Sequence, residues 1–242
     1  MADHAATHAT APPIPWWLQP AATVVILTGF VVYALWVALQ GHGSVGNYLS
    51  PFYSPPVRIA GIPISPAFWV LWAPAGFRAT CYYYRKAYYR SFFGDPVSCM
   101  IRESRHGYAG ETRLPFILNN LHRYLLYAAI VVLVFLWIDA VRAFDFNGHV
   151  GVHLGSLLFL INVVLLSGYT FGCHAFRHLA GGNLDCYSCA RAGRLRFRLW
   201  QLITPLNLYH AAWAWASLFS VVAVDVYLRL LMAGVIRDPG LG

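Results

Sequence analysis

Five long apolar stretches separated by short polar connections organise this chain. They fall at about 21–40 (AATVVILTGFVVYALWVALQ), 64–90, 116–143, 151–179 and 205–234. A bilayer core ~30 Å thick is crossed by roughly 20 apolar residues in a helix, and each stretch reaches that length. The second is the weakest, because Pro66 and Pro74 interrupt it and Arg78 follows closely. Its aromatic extension, Cys81-Tyr82-Tyr83-Tyr84 and then Tyr88-Tyr89, suits the interfacial belt. Proline is tolerated in a spanning helix where neighbours satisfy the freed carbonyl. The pattern predicts an all-α integral membrane protein, a bundle of five transmembrane helices within 16–242. Residues 1–15 read as a disordered cytoplasmic tail in which His4 and His8 are solvated.

Composition agrees. The chain is 59% hydrophobic and 11% charged, against about 25% charged in soluble domains. The first fifteen residues lack the basic start of a secretory signal. Five Cys with no extracellular framework give no expectation of disulfides.

Charge sets the orientation. The side of the N-terminus receives Arg78, Arg85, Lys86, Arg90, Arg102, Arg105, Arg113, Arg123, Arg177, Arg191, Arg194, Arg196 and Arg198, which is 13 of the 17 basic residues. The other side keeps Arg58, Arg142, Arg229 and Arg237. The positive-inside rule makes the N-terminal side cytoplasmic. The net charge of +8 is mostly this bias, and it leaves a basic face suited to an acidic soluble partner. Nucleic acid is not an expected partner, because the basic residues hug the spans. No internal repeat supports an inverted-repeat transporter.

Ionisable groups within a membrane need a partner or a function. Asp139 with Arg142 and Asp225 with Arg229 stand three and four residues apart, a spacing for local pairing. The cytoplasmic ends hold a different set. Cys81, His122, Cys173 and His210, with His174 and His178 beside them, fall on four different spans at similar depth. Singly, each would read as an interfacial histidine or a small buried hydrophobe. Together they suggest a redox metal centre. Two His can clamp a haem iron, two Cys and two His can hold a Rieske-type 2Fe-2S cluster, and His174 with His178 can begin a zinc site. No HExxH accompanies them, which disfavours a metalloprotease. Adjacent Cys173 and His174 point about 100° apart on a helix, so which of them faces inward stays open. Cys186-Tyr-Ser-Cys189 is at most half a metal site, and Cys99 has no visible partner.

The segments GFRATCYYYRKAYYRSFFGDP, GETRLPFILNNLHRYLLY, GYTFGCHAFRHLAGG and LNLYHAAWAWASLFSVVAVDVYLRL resemble the membrane-anchor (cytochrome b-like) subunit of succinate dehydrogenase, that is succinate:quinone oxidoreductase, of the actinobacterial type. The resemblance covers roughly 20–235. It implies a multi-pass subunit of respiratory complex II in the bacterial cytoplasmic membrane, not catalytic alone. Its partners would be an iron-sulfur subunit, an FAD flavoprotein subunit, membrane lipid and a quinone (menaquinone or ubiquinone), and a homotrimer of the whole complex is allowed. Related di-haem anchors carry one His on each of four helices. Here spans one and two have no internal His, and the far side offers only His42, His149 and His153 near helix ends. The actinobacterial type implies instead a membrane-embedded Rieske-type 2Fe-2S cluster. Placed by depth, that assigns Cys81 and Cys173 to one iron and His122 and His210 to the other, with His174 or His178 as alternates. Haem b with bis-His ligation is the alternative, and a transporter or non-redox scaffold is the third reading.

Quinone reduction needs hydrogen-bond donors and a proton source. Residues near the cytoplasmic face that could supply them are Arg78, Tyr82, Tyr83, Arg123, Arg177, His178 and Tyr209, with Trp16 and Trp17 at the mouth.

Overall fold

The computed structural model describes residues 15, 17–58, 64–93, 118–146, 148–182, 184 and 186–240. The expected tail up to residue 14, Trp16, Cys99 and the loop with Arg102, Arg105 and Arg113 lie outside them. The described chain is mostly helical, with two short hairpins among its connections. Its helices are α1 (Leu18–Gln40), α2 (Pro66–Val70), α3 (Trp72–Thr80), α4 (Tyr82–Phe93), α5 (Leu118–Arg142), α6 (Leu154–Phe171), α7 (His174–Gly181), α8 (Gly193–Leu208) and α9 (His210–Met232).

Among the described residues, four helical segments rather than five are each long and apolar enough to cross a bilayer: Leu18–Gln40, Leu121–Arg142, Leu154–Phe171 and His210–Met232. The span expected at 64–90 is a broken one. Ser65 caps α2 by accepting the Ala67 N–H at 3.3 Å, and Pro66 fits its first position. Pro74 has no N–H to offer the Val70 carbonyl, so α2 stops there and α3 restarts with Pro74 in its first turn. A second break falls at Cys81. The span expected at 151–179 breaks at Gly172–Cys173, and the one at 205–234 breaks at Tyr209.

α6 lies along α9, α5 packs on both α3 and α6, α1 packs on α4, and α7 and α8 form a hairpin. Val25, Val31, Leu35 and Leu39 of α1, Val131 and Val134 of α5, Ile161 and Val164 of α6 and Phe219 of α9 are exposed. Helices whose backbone groups are satisfied internally can present such residues to lipid. One core cluster gathers Phe77, Cys81, Tyr84, Leu126, Tyr169, Cys173, Ala214 and Leu218. A second, towards the other end, gathers Leu133, Phe159, Val163, Val224 and Leu228.

That other end is closed by β1 (Ser44–Val45) on β2 (Tyr48–Leu49) and β3 (Asp145–Phe146) on β4 (His149–Val150), both antiparallel. Gly46 (φ +53°) and Gly148 (φ +84°) take the left-handed turn positions that favour glycine. Asp238 ties down the C-terminal segment, accepting from Tyr48 at 2.5 Å, Tyr227 at 2.6 Å and the Gly155 N–H at 3.0 Å.

The two expected ion pairs form, with additional partners. Arg229 Nε donates to Asp225 at 2.7 Å, and the carboxylate also accepts from Tyr33 at 2.5 Å and from Ser50. Arg142 stands 3.9 Å from Asp139, which accepts from Ser54. The serines flank the turn at Pro51–Tyr53, so each carboxylate binds the first interhelical loop to the bundle. One expectation is overturned: Cys186 and Cys189 are joined as a disulfide, their turn bringing the Cα atoms to 5.5 Å, inside the bridging range.

Candidate metal centre

The helix breaks place the candidate ligands. Cys81 (φ −64°, ψ 132°) separates α3 from α4, and Cys173 (φ −63°, ψ 140°) separates α6 from α7. Each thiol therefore sits on one extended residue between two helices, 2% exposed. His210 opens α9 immediately after the Tyr209 break and is 1% exposed. His122 sits in the first turns of α5 and is half-buried.

Gly172 explains why α6 can end where it does. A Cβ there would stand 2.5 Å from the Gly168 carbonyl oxygen and 2.9 Å from that of Leu206, so only glycine lets α6 and α8 approach. Asn207 Nδ2 then donates to the Gly172 carbonyl at 2.9 Å, tying the Cys173 break to the chain just before His210.

The four side chains come together as two pairs. His122 Nε2 is 3.0 Å from Cys173 Sγ, and His210 Nε2 is 3.5 Å from Cys81 Sγ. Aromatic rings join the pairs. His122 stacks on Phe77 (centroids 4.5 Å, planes 7° apart), Phe77 meets Tyr169 edge-on at 5.4 Å, and Tyr169 stacks on His210 at 5.0 Å. The Tyr169 hydroxyl lies beside Cys81 without a hydrogen bond of normal geometry.

A tautomer follows for His122. Thr80 Oγ1 donates to the Gly76 carbonyl at 2.8 Å, so at its 2.9 Å contact with His122 Nδ1 the hydroxyl oxygen accepts. With the Thr80 hydrogen given to Gly76, the ring proton belongs on Nδ1 and the Nε2 lone pair faces the Cys173 sulfur. Fixing one ring nitrogen so that the other can ligate is the usual outer-shell arrangement of metal-binding histidines. His210 Nδ1 is buried with no hydrogen-bond partner among the described residues.

Arg78 lies one turn before Cys81, whose N–H donates to the Arg78 carbonyl at 3.1 Å. Its guanidinium donates to the Tyr84 hydroxyl at 2.6 Å, the Ala214 carbonyl at 3.0 Å and Ser217 Oγ at 2.8 Å, and it stands 4.5 Å from the Tyr169 ring centroid.

The remaining sequence candidates are more peripheral. His174 and His178 are exposed on α7 and meet each other at 4.4 Å, apart from the two Cys–His pairs. Burial and the neighbouring His178 and Arg177 hold the His174 imidazole below its ordinary pKa. Arg177 stacks over Trp200 at 3.6 Å, and its Nε is buried without a partner among the described residues. Tyr83 is 5.2 Å from the His210 ring and partly exposed, with Tyr82 beside it. Arg123, Tyr209 and Trp17 are exposed. Among the described residues no group of three or more His, Cys, Asp or Glu side chains is arranged to hold one metal ion.

Thr80, Phe77, Tyr169 and Ser217 are the residues that sequence reasoning missed. Thr80 had a signal in its position beside Cys81. The others are brought in by helix packing that no spacing reveals.

The fold and this end of the bundle define a helical protein with several membrane-length apolar helices and a buried Cys and His constellation at one end. Residues 18–234 match the family described as actinobacterial succinate dehydrogenase subunit SdhC, and the chain belongs to that family, a membrane-anchor subunit of succinate dehydrogenase. A chain of the Mycobacterium smegmatis Sdh1 complex in the apo form is 38% identical. That match covers 96% of this chain and 94% of the other, with a TM-score of 0.82. No curated protein matches the chain. Family membership sets aside the transporter reading.

Proposed function

We propose that this anchor docks the iron-sulfur and flavoprotein subunits of succinate dehydrogenase at its cytoplasmic face and passes their electrons to a membrane quinone through a Rieske-type 2Fe-2S centre. Cys81 and Cys173 would hold one iron, and His122 and His210 the other. The observation that carries this is the pair of Cys–His contacts, with the Thr80-fixed tautomer turning the His122 Nε2 lone pair inward.

The residues present fit the group. Two thiols and two imidazoles are the donor set that such a cluster uses. Both sulfurs are shielded from water, and among the described residues the buried His210 Nδ1 has no hydrogen-bond partner. When bound, the cluster supplies a one-electron carrier of raised potential. A bis-His haem is less well served, since each histidine directs Nε2 at a cysteine rather than across an open slot.

The chain's own contribution is binding and orientation. Breaking three helices at the ligands lets short extended or turn residues aim the side chains, while Phe77 and Tyr169 exclude water between them. Tyr83 leads from His210 towards the surface, and Tyr82, Tyr209, Arg123, Arg177, His178 and Trp17 would offer donors and aromatic faces to a quinone ring; Trp16 stays a candidate outside the described residues. Two electrons and two protons are needed to reduce it, and the hydroxyl and guanidinium donors hold its oxygens as charge develops.

The test compares two activities of the assembled complex carrying Cys81→Ser or Cys173→Ser. Succinate oxidation with a soluble dye should persist while quinone reduction collapses. Undiminished quinone reduction in both variants would refute the proposal.

A further inference from the structure

Arg78 is a cation inside the bundle whose contacts are all neutral. It holds two hydroxyls and one carbonyl and lies against the Tyr169 ring. Among the described residues no carboxylate pairs with it, whereas Arg229 at the far end has Asp225 at 2.7 Å. An unbalanced charge within a membrane protein is costly and marks a function. Four partners on α4, α6 and α9 fix its position, so it is not a snorkelling interfacial arginine. Tyr84 is itself anchored, its hydroxyl donating to the Ala214 carbonyl at 2.5 Å. His210 and Arg78 both lie against the Tyr169 ring, at 5.0 and 4.5 Å.

We infer that Arg78 is the fixed counter-charge of the centre, a positioning residue that raises its reduction potential by stabilising the extra electron. The inference rests on the cluster reading above. With two thiolates and two neutral imidazoles, the oxidised centre carries no net charge and the reduced centre one negative charge. Reduction there adds one electron, delivered by the soluble iron-sulfur subunit, and no atom moves. A cation held nearby in a low-dielectric site favours the reduced form alone, so it shifts the couple without touching iron or quinone.

The test is an EPR-monitored redox titration of the membrane centre in the purified complex. Arg78→Gln removes the charge, and Arg78→Lys keeps it. Ser217→Asp leaves Arg78 in place but sets a carboxylate against its guanidinium, so the question is answered even where Arg78→Gln does not assemble. Arg78→Gln and Ser217→Asp should each lower the reduced-to-oxidised ratio at fixed poise about tenfold, about 59 mV for a one-electron couple. Arg78→Lys should titrate close to the unaltered complex. Unchanged potentials in Arg78→Gln and Ser217→Asp would overturn the inference, and so would an equal fall in all three variants, which is the mark of disturbed packing. If the unaltered complex shows no cluster signal that depends on His122 and His210, the cluster reading itself fails and takes this inference with it.

Discussion

Replacing Thr80 with valine tests the arrangement around His122 most finely, because the two side chains have nearly the same shape. The substitution removes the acceptor 2.9 Å from His122 Nδ1 and leaves the rest of the contact in place. In that half-buried setting the His122 ring loses its Thr80 partner and keeps only the Phe77 carbonyl beside it, and an under-satisfied buried donor costs up to about 1–3 kcal/mol. At ~1.4 kcal/mol per tenfold, that is roughly 5- to 150-fold weaker retention of any metal held by Nε2, matching the ~10- to 100-fold typical of outer-shell losses. The assay is iron and acid-labile sulfide per complex during a timed chelator challenge, with Thr80→Ser as the control that keeps the hydroxyl. Thr80→Val should lose iron faster and Thr80→Ser should hold it. Equal loss rates for Thr80→Val and the unaltered protein would refute the tautomer argument and the ligand role of His122 with it.

Gly172→Ala should impair assembly, since the new methyl would meet two backbone oxygens at 2.5 and 2.9 Å; overpacking of this kind costs about 1–3 kcal/mol and would lower the melting temperature in detergent. Asp225→Ala should be more damaging. It strands Arg229 and releases Tyr33 and Ser50, and losing one member of a buried pair costs about 3–5 kcal/mol, again read as thermal stability against a milder Asp225→Asn. At Asp238, burial alone would raise the carboxyl pKa, but hydrogen bonds from Tyr227, Tyr48 and the Gly155 N–H bring it below the ordinary value. Its stabilisation is therefore complete at neutral pH and is lost as pH falls below about 3.8, the ordinary aspartate value. Hydrogen exchange of residues 233–240 should rise over that acid range, and in Asp238→Asn the pH dependence should vanish.

How far the sequence was legible follows from what each kind of signal reports. Hydropathy located α1, α5, α6 and α9, because a lipid-facing helix must be apolar along its length whatever it packs against. It merged α2, α3 and α4 into one span, since Pro66, Pro74 and the tyrosines remain apolar enough to hide breaks at Leu71 and Cys81. The same blindness hid the break at Cys173, where the deciding fact is the approach of Gly172 to Leu206, a contact across 34 positions of sequence. The depth argument nevertheless brought Cys81, His122, Cys173 and His210 to one end. Counting residues from the lipid boundary survives a local break, because a single extended residue barely changes the depth. Depth has no angular content, so it left His174 and His178 as alternates. The break at Cys173 starts a new helix and turns both histidines outward. Ser50 and Ser54 escaped notice because their carboxylate partners are 175 and 85 residues away.

The measurement that bears most directly on the account is low-temperature EPR of the dithionite-reduced complex beside its optical haem spectrum, repeated with His122→Ala and His210→Ala. The account predicts a reduced 2Fe-2S signal of low average g that either substitution abolishes, with no haem band that depends on these residues. A haem band lost on substitution, without that EPR signal, would contradict it.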